Sequence, residues 1–224
     1  MNRTYIIKTI AQAVVQMQKK SPTLVGIDGV DGSGKTTFAQ ELVEELQKTG
    51  RQIIFVSIDH FHNPQNIRYT RGRDSAEGFY RDSFNNKVVQ KVLLDPLKSG
   101  DLRYKTGVFD YATDTALDLP EQVADADAIV IMEGIFLLRP ELADYWDLKV
   151  LLDVDFETTL KRVQAREQDQ EHLGDADAIV QKYKDRYIPG QQLYFQEAQP
   201  RQQADIIINN SDFENPEITK GGHF

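Results

Sequence analysis

The chain has 224 residues, 40% hydrophobic and 27% charged, which is enough apolar material for one medium α/β domain with a real core. Its formal net charge of −9 argues against duplex nucleic acid as the main partner, because such a chain repels polyanions unless positive charge is gathered locally. With no cysteine there are no disulfides or thiolate metal sites, and no segment approaches the roughly 20 apolar residues that span a bilayer.

Near the N-terminus Ile6, Ile7, Ile10, Ala13, Val14 and Met17 recur at helical spacing. A helix over 4–20, docked on the domain's own core, is expected there; Lys8 and Gln12 interrupt any signal-peptide apolar region. A soluble, cytoplasmic protein with no membrane partner is the expectation. Five Ile- and Val-rich runs then read as buried strands, at 24–27, 53–58, 128–132, 148–154 and 205–208. Helical patterns separate them: 35–48, closed by Gly50, then 86–94, 141–145, 156–168 and 175–187. Nearly continuous apolar strands alternating with helices predict a five-stranded parallel sheet in a three-layer α/β sandwich, all in one domain over 1–224. The hexapeptide "DADAIV" occurs at 125–130 and 175–180, but its surroundings differ and no repeat follows from it. The polar segments 63–83 and 99–118 are long for simple connections, and such loops often carry function.

After the first strand comes Gly29-Val30-Asp31-Gly32-Ser33-Gly34-Lys35-Thr36, followed by Thr37 and a helix. This matches G-x-x-x-x-G-K-[ST] in full. Glycines let backbone N–H groups wrap a phosphate, and the helix N-terminus adds its positive end. Lys35 suits the β and γ phosphates and the Thr36 hydroxyl suits Mg²⁺. A nucleoside triphosphate site with Mg²⁺ as cofactor follows. Asp59 stands at the end of the second strand and Glu133 just past the third, on the edge of the sheet where the phosphate loop lies. Asp59 suits the base that takes a proton from an acceptor hydroxyl, or the metal's shell; Glu133 suits that shell. Two other readings of Asp59, His60 and His62 stand beside this one: a transition-metal site, and a solvated turn.

With these residues in place, the phosphate loop, "SIDHFH", "FDYATDT", "IMEGIFLL" and "ADIIINN" occur in an order that resembles the uridine kinase and phosphoribulokinase-like family of P-loop small-molecule kinases. The resemblance covers roughly 23–210 and implies the P-loop nucleoside kinase type of fold with a helical lid near 162–190. It implies that Asp59 is the catalytic base and that Glu133 belongs to the metal site. Lys35, Arg162 and Arg166 would act on the phosphates, with Pro189 in the later lid helix. His62 stands where the family has a substrate-contacting tyrosine, and Asp110 and Tyr111 match its acceptor segment. Asp114 replaces a family histidine, Phe79 or Tyr80 replaces a ribose-binding aspartate, and His172-Leu173-Gly174 replaces the lid's R-G-R.

The departures gather beside "IRYTRGRDSAEGFYRDSF", which holds Arg68, Arg71, Arg73 and Arg81. Arg71 and Arg73 are candidates to bind an anionic acceptor bidentately; the competing reading pairs these arginines with Asp74, Glu77 and Asp82 on the surface. The expected function is ATP- and Mg²⁺-dependent phosphorylation of a hydroxyl on a small metabolite, with a nucleoside first. The alternatives are an anionic acceptor such as a sugar phosphate or pantothenate-like acid, and a nucleotide-gated switch. Homo-oligomer formation is left open.

Overall fold

The computed structural model describes residues 2–17, 19–165 and 176–222. Five parallel strands form the frame: β1 (Thr23–Gly29), β2 (Ile53–Ser57), β3 (Ile129–Gly134), β4 (Leu148–Asp153) and β5 (Ile206–Asn209). A sixth, β6 (Glu217–Lys220), pairs antiparallel with β5 at one edge, giving the order β6-β5-β4-β1-β3-β2. β6 is not among the expected strands, since "EITK" has no apolar run and lies mostly in solvent. β1 lies at the centre, with Ile27 opposite Glu133 on β3 and opposite Val150 on β4. The connection from β1 runs to β2 on one side and that from β3 crosses β1 to β4 on the other, so the crevice that binds ligands in open α/β folds opens at the C-terminal end of β1. Glu133 belongs to β3 itself, opposite Ser57, rather than lying past the strand.

Each face of the sheet carries its own core. On one, α1 (Arg3–Gln16) and α2 (Lys35–Gln47) bury Ile6, Ile10, Val14, Phe38 and Leu42 against Val25, Ile131 and Val150. Helix α1 starts at Asn2, whose side chain accepts the Tyr5 N–H at 2.8 Å, and it stops at Gln16 rather than 20. Pro22 and the polar run before it give the chain no reason to continue the helix.

The opposite face is covered by α3 (Ala76–Asp82), a continuous helical stretch over 86–99, and α5 (Ile188–Ala198); α4 (Phe156–Gln164) follows β4. The stretch expected to end at 94 runs on to Ser99 and stops at Gly100, which has φ +86°. The helix expected at 141–145 is only a 3₁₀ turn, Ala143–Tyr145. The pattern 175–187 does not end there: Ala176–Lys182 passes through a wider turn, Tyr183–Tyr187, directly into α5. Pro189, which the resemblance puts in the lid helix, and Gly190 both lie inside this run. Pro189 comes just after the wider turn, which already interrupts the regular ladder that a missing N–H would break. A Cβ on Gly190 would stand 2.7 Å from the Ala76 carbonyl oxygen, so glycine is what lets α5 lie on α3. The polar segments are also structured: 63–83 holds the turn Gln65–Arg68 and α3, and 99–118 holds Phe109–Asp110 paired with Thr115–Ala116.

Candidate active site

The phosphate loop leaves β1 and enters α2 through two glycines in the left-handed region, Gly32 at φ +73° and Gly34 at φ +88°. A Cβ on Gly34 would stand 2.9 Å from Asn210 Nδ2, so that backbone is close on both sides. Three elements brace the loop. Gln191 Oε1 on α5 accepts the Asp31 N–H at 2.7 Å. Asn210, just past β5, donates to the Ser33 carbonyl at 2.7 Å. Arg162 on α4 donates from Nη1 to the Gly32 carbonyl at 3.3 Å and from Nη2 to the Asn210 carbonyl at 2.7 Å. Lys35 is buried and its Nζ donates to the Val30 carbonyl at 2.8 Å, inside the curl of the loop. Thr36 and Thr37 follow at the exposed start of α2. Arg166 and residues 172–174 lie outside the described residues.

A small cavity of about 130 Å³ opens above this loop, and Asp31, Gly34, Lys35, Thr36, Asp59 and Glu133 line it. Glu133 is buried, and burial raises its carboxyl above the ordinary value; Lys35 opposes the rise, and the hydroxyls of Ser57 and Thr36 lie against it. Asp59 follows β2 in a 3₁₀ turn, Ile58–Phe61, where its N–H donates to Ser57 Oγ at 3.3 Å. Protein crowds its carboxyl and raises its pKa, against the pull of Lys35 and His60. Water still reaches Asp59 through the mouth of the cleft, which limits that rise. Beneath the loop, Asp28 on β1 is fully buried and its carboxyl is raised by that burial. It accepts from the Tyr194 hydroxyl on α5 and, at 3.4 Å, from the Leu137 N–H.

A second cavity, of about 530 Å³, adjoins the first. Asp31, Gly32, Asp59 and Ile135 line both. Its walls are aromatic, with His62, Tyr69, Phe79, Phe84, Tyr111 and Tyr187 among them. The His62 ring lies 4.4 Å from that of Phe84 and 4.5 Å from that of Tyr111, centroid to centroid. Its Nδ1 donates to the Asp59 carbonyl at 2.8 Å, and burial lowers its pKa to about 4, so it is neutral at pH 7. Asp110 lines this cavity too, with its carboxylate tied into a turn by the Ala112 N–H and the Thr113 hydroxyl, both at 2.9 Å.

Other expected acceptor residues stand elsewhere. Of the two candidates at the ribose position, Phe79 faces the cavity, whereas Tyr80 packs in the core against Phe136 and Tyr194. Arg71 is exposed and pairs with Asp82 at 2.9 Å and Glu77 at 3.6 Å, and Arg73 is exposed against the Tyr69 ring. Neither lines the cavity; Arg68 and Arg186 do. Arg186 donates to the carbonyls of Gly72, Arg73 and Ser75 at 3.3, 2.7 and 3.1 Å, so it holds the acceptor-side loop in shape. Asp114 stands behind the wall, bound to Arg68. Sequence reasoning missed Gln191, Asn210 and Arg186, and it named Arg68 only as part of the arginine segment. Only Asn210 had a signal, as a polar residue ending a strand that points to the loop's edge.

Residues 24–214 match the model of the phosphoribulokinase / uridine kinase family. A uridine kinase of Limosilactobacillus reuteri is 30% identical over 193 residues, covering 85% of this chain and 84% of the relative. One from Ligilactobacillus salivarius is 27% identical over 195 residues, covering 85% and 86%. Among solved structures, a possible uridine kinase from Bacillus stearothermophilus superposes with a TM-score of 0.72 at 23% identity, over 90% of this chain and 96% of that one. D-glycerate 3-kinase from Cryptococcus neoformans gives 0.61 at 15%, over 96% and 97%. At those identities the structures speak for the fold. The family match runs from the first strand to beyond the fifth, and so the chain belongs to the phosphoribulokinase / uridine kinase family as an ATP-dependent small-molecule kinase.

Proposed function

We propose that this kinase transfers the γ-phosphoryl group of ATP to a hydroxyl of a nucleoside held in the aromatic cavity. One observation carries the reading: Asp59 lines both the phosphate cavity and the aromatic one, so a hydroxyl entering from the second meets a carboxylate at the edge of the first. Asp59 takes the hydroxyl proton as the oxygen attacks the γ-phosphorus; the bond to the β-phosphate oxygen breaks and ADP leaves. Lys35 and the loop N–H groups hold the negative charge of the phosphates. Thr36 and Glu133 are hard oxygen donors on one rim, with Asp59 beside them, which fits Mg²⁺ held by the first two. Bound there, the cation would neutralise phosphate charge. Support for a nucleoside comes from the rings of His62, Phe84 and Tyr111, which suit a planar base, and from the uridine kinases among the relatives.

A second reading, an anionic acceptor, is favoured by the presence of Arg68 and Arg186 in the cavity wall. It is weakened because Asp114 pairs with the first and backbone carbonyls engage the second. Acceptor-stimulated ADP release should separate the two. Nucleosides are expected to raise turnover well above the acceptor-free rate, while sugar phosphates and hydroxy acids do not. Asp59→Asn should cut kcat by roughly 10²–10⁴-fold, as for a lost general base, with little change in the KM for ATP. Stimulation by a sugar phosphate alone would replace the nucleoside reading with the anionic one.

A further inference from the structure

Arg68 is a cation built into the wall of the aromatic cavity, with its side chain only 4% exposed. One edge of the guanidinium is fixed: Nη2 donates to Asp114 Oδ1 at 2.7 Å. The same carboxylate accepts the Gln65 N–H at 3.1 and 3.2 Å, which closes the turn that carries Arg68. Asp114 does this from φ +53°, a conformation few non-glycine residues adopt. The other two nitrogens are different. Nε and Nη1 are buried and have no acceptor among the described residues. Tyr111, 44% exposed, covers the group, with its ring centroid 4.4 Å from Cζ. Unsatisfied buried donors are uncommon in native proteins, and beside a cavity they point to an acceptor from outside the chain, a water or a ligand atom. Arg186 is no rival for this role: its Nη1 goes to the carbonyls of the 72–75 loop and its Nη2 to the Arg68 carbonyl, and none of its nitrogens is among the buried, unpartnered ones of the described residues.

We infer that Arg68 is the specificity-determining residue of the acceptor site, its Nη1 donating to an oxo oxygen of the acceptor molecule. Asp114 holds the guanidinium in place, and the exposed Tyr111 ring shifts to admit the acceptor. The chemistry required is an oxygen on a planar group, which a pyrimidine ring carbonyl and a carboxylate both supply. Charge favours the neutral carbonyl: Asp114 cancels Arg68, and Asp59 and Asp110 face the same cavity. The inference rests on the nucleoside reading only for its choice of probe.

The test compares wild type, Arg68→Met and Arg68→Lys on uridine, on uridine analogues lacking one ring carbonyl oxygen, and on a carboxylate-bearing hydroxy acid. Arg68→Met is expected to raise the KM for uridine by about ten- to a hundredfold, the loss of a charge-assisted contact, with the KM for ATP unchanged. One analogue should be used equally by wild type and variant, because the oxygen that Arg68 reads is missing. Arg68→Lys keeps the charge without the fork and should show the same loss; it carries the test if Arg68→Met fails to fold in a thermal melt. A purely structural Arg68 would raise the KM for every acceptor and analogue alike, or depress kcat and ATP binding together, and either result overturns the inference. Wild type that ignores uridine but phosphorylates the hydroxy acid would end the nucleoside reading alone; the variants' KM for that acid then decides on Arg68. An unchanged acceptor KM in both variants also overturns it.

Discussion

Asp59 must be ionised to accept a proton, and its surroundings work against ionisation. Crowding by protein raises its pKa, Lys35 and His60 lower it, and the net direction is upward. Glu133, next to it on the rim, is raised for the same reason, and each carboxylate discourages the other. The acid limb of kcat/KM for MgATP, which reads the enzyme before the cation arrives, therefore belongs to the pair. Activity should be full above the raised value and fall as pH drops through it, at a higher pH than an ordinary carboxylate with its pKa of about 4 would give. His62, lowered to about 4, is already neutral across the range and adds no limb of its own near pH 6. A pH–rate profile of His62→Gln should thus keep the wild-type limb in place even where its rates are lower. A limb that moved with His62 would assign the titration to the imidazole.

Helix α5 fastens the site from below. Gln191 holds the Asp31 N–H, and Tyr194, one turn on, donates to the buried Asp28 while accepting the Leu138 N–H at 3.1 Å. Tyr194→Phe should destabilise the protein by about 1.5–3 kcal/mol, the range for a hydrogen bond to a charged group, as read by urea unfolding. Asp28's folded pKa is raised, so ionising it costs stability as pH rises, and the Tyr194 hydroxyl offsets part of that cost. The deficit of the variant should therefore grow with pH and shrink in acid. None of this was legible in the sequence. The phosphate loop was, because its chemistry lies in eight adjacent residues, and the five parallel strands were, because each is a local apolar run. Gln191 meets Asp31 from 160 positions away, and nothing near either residue announces the contact. In the arginine segment the four side chains look equivalent on paper. Asp114, 46 positions on, decides that Arg68 is buried while Arg71 stays among surface carboxylates. The full length of helix α5 was not legible either, because what Pro189 and Gly190 do depends on where in a helix they fall.

Across the whole molecule, the sheet separates a functional face from a supporting one. Ile10 on α1 is fully buried among the residues of the supporting face and lines neither cavity. Ile10→Ala should cost about 2–5 kcal/mol and lower the urea midpoint within a single transition, while both KM values stay within about twofold of wild type. Altered substrate constants would mean that the supporting layer also shapes the site. On the functional face, Arg186 grips the carbonyls of the 72–75 loop, and Gly190 seats α5 directly on α3. The part of the chain that meets the acceptor is thus written in two passages about a hundred residues apart. A relative's 63–83 segment moved here alone would arrive without the arginine and glycine it was fitted to. Substrate preference in this protein can drift or be exchanged only when both passages travel together.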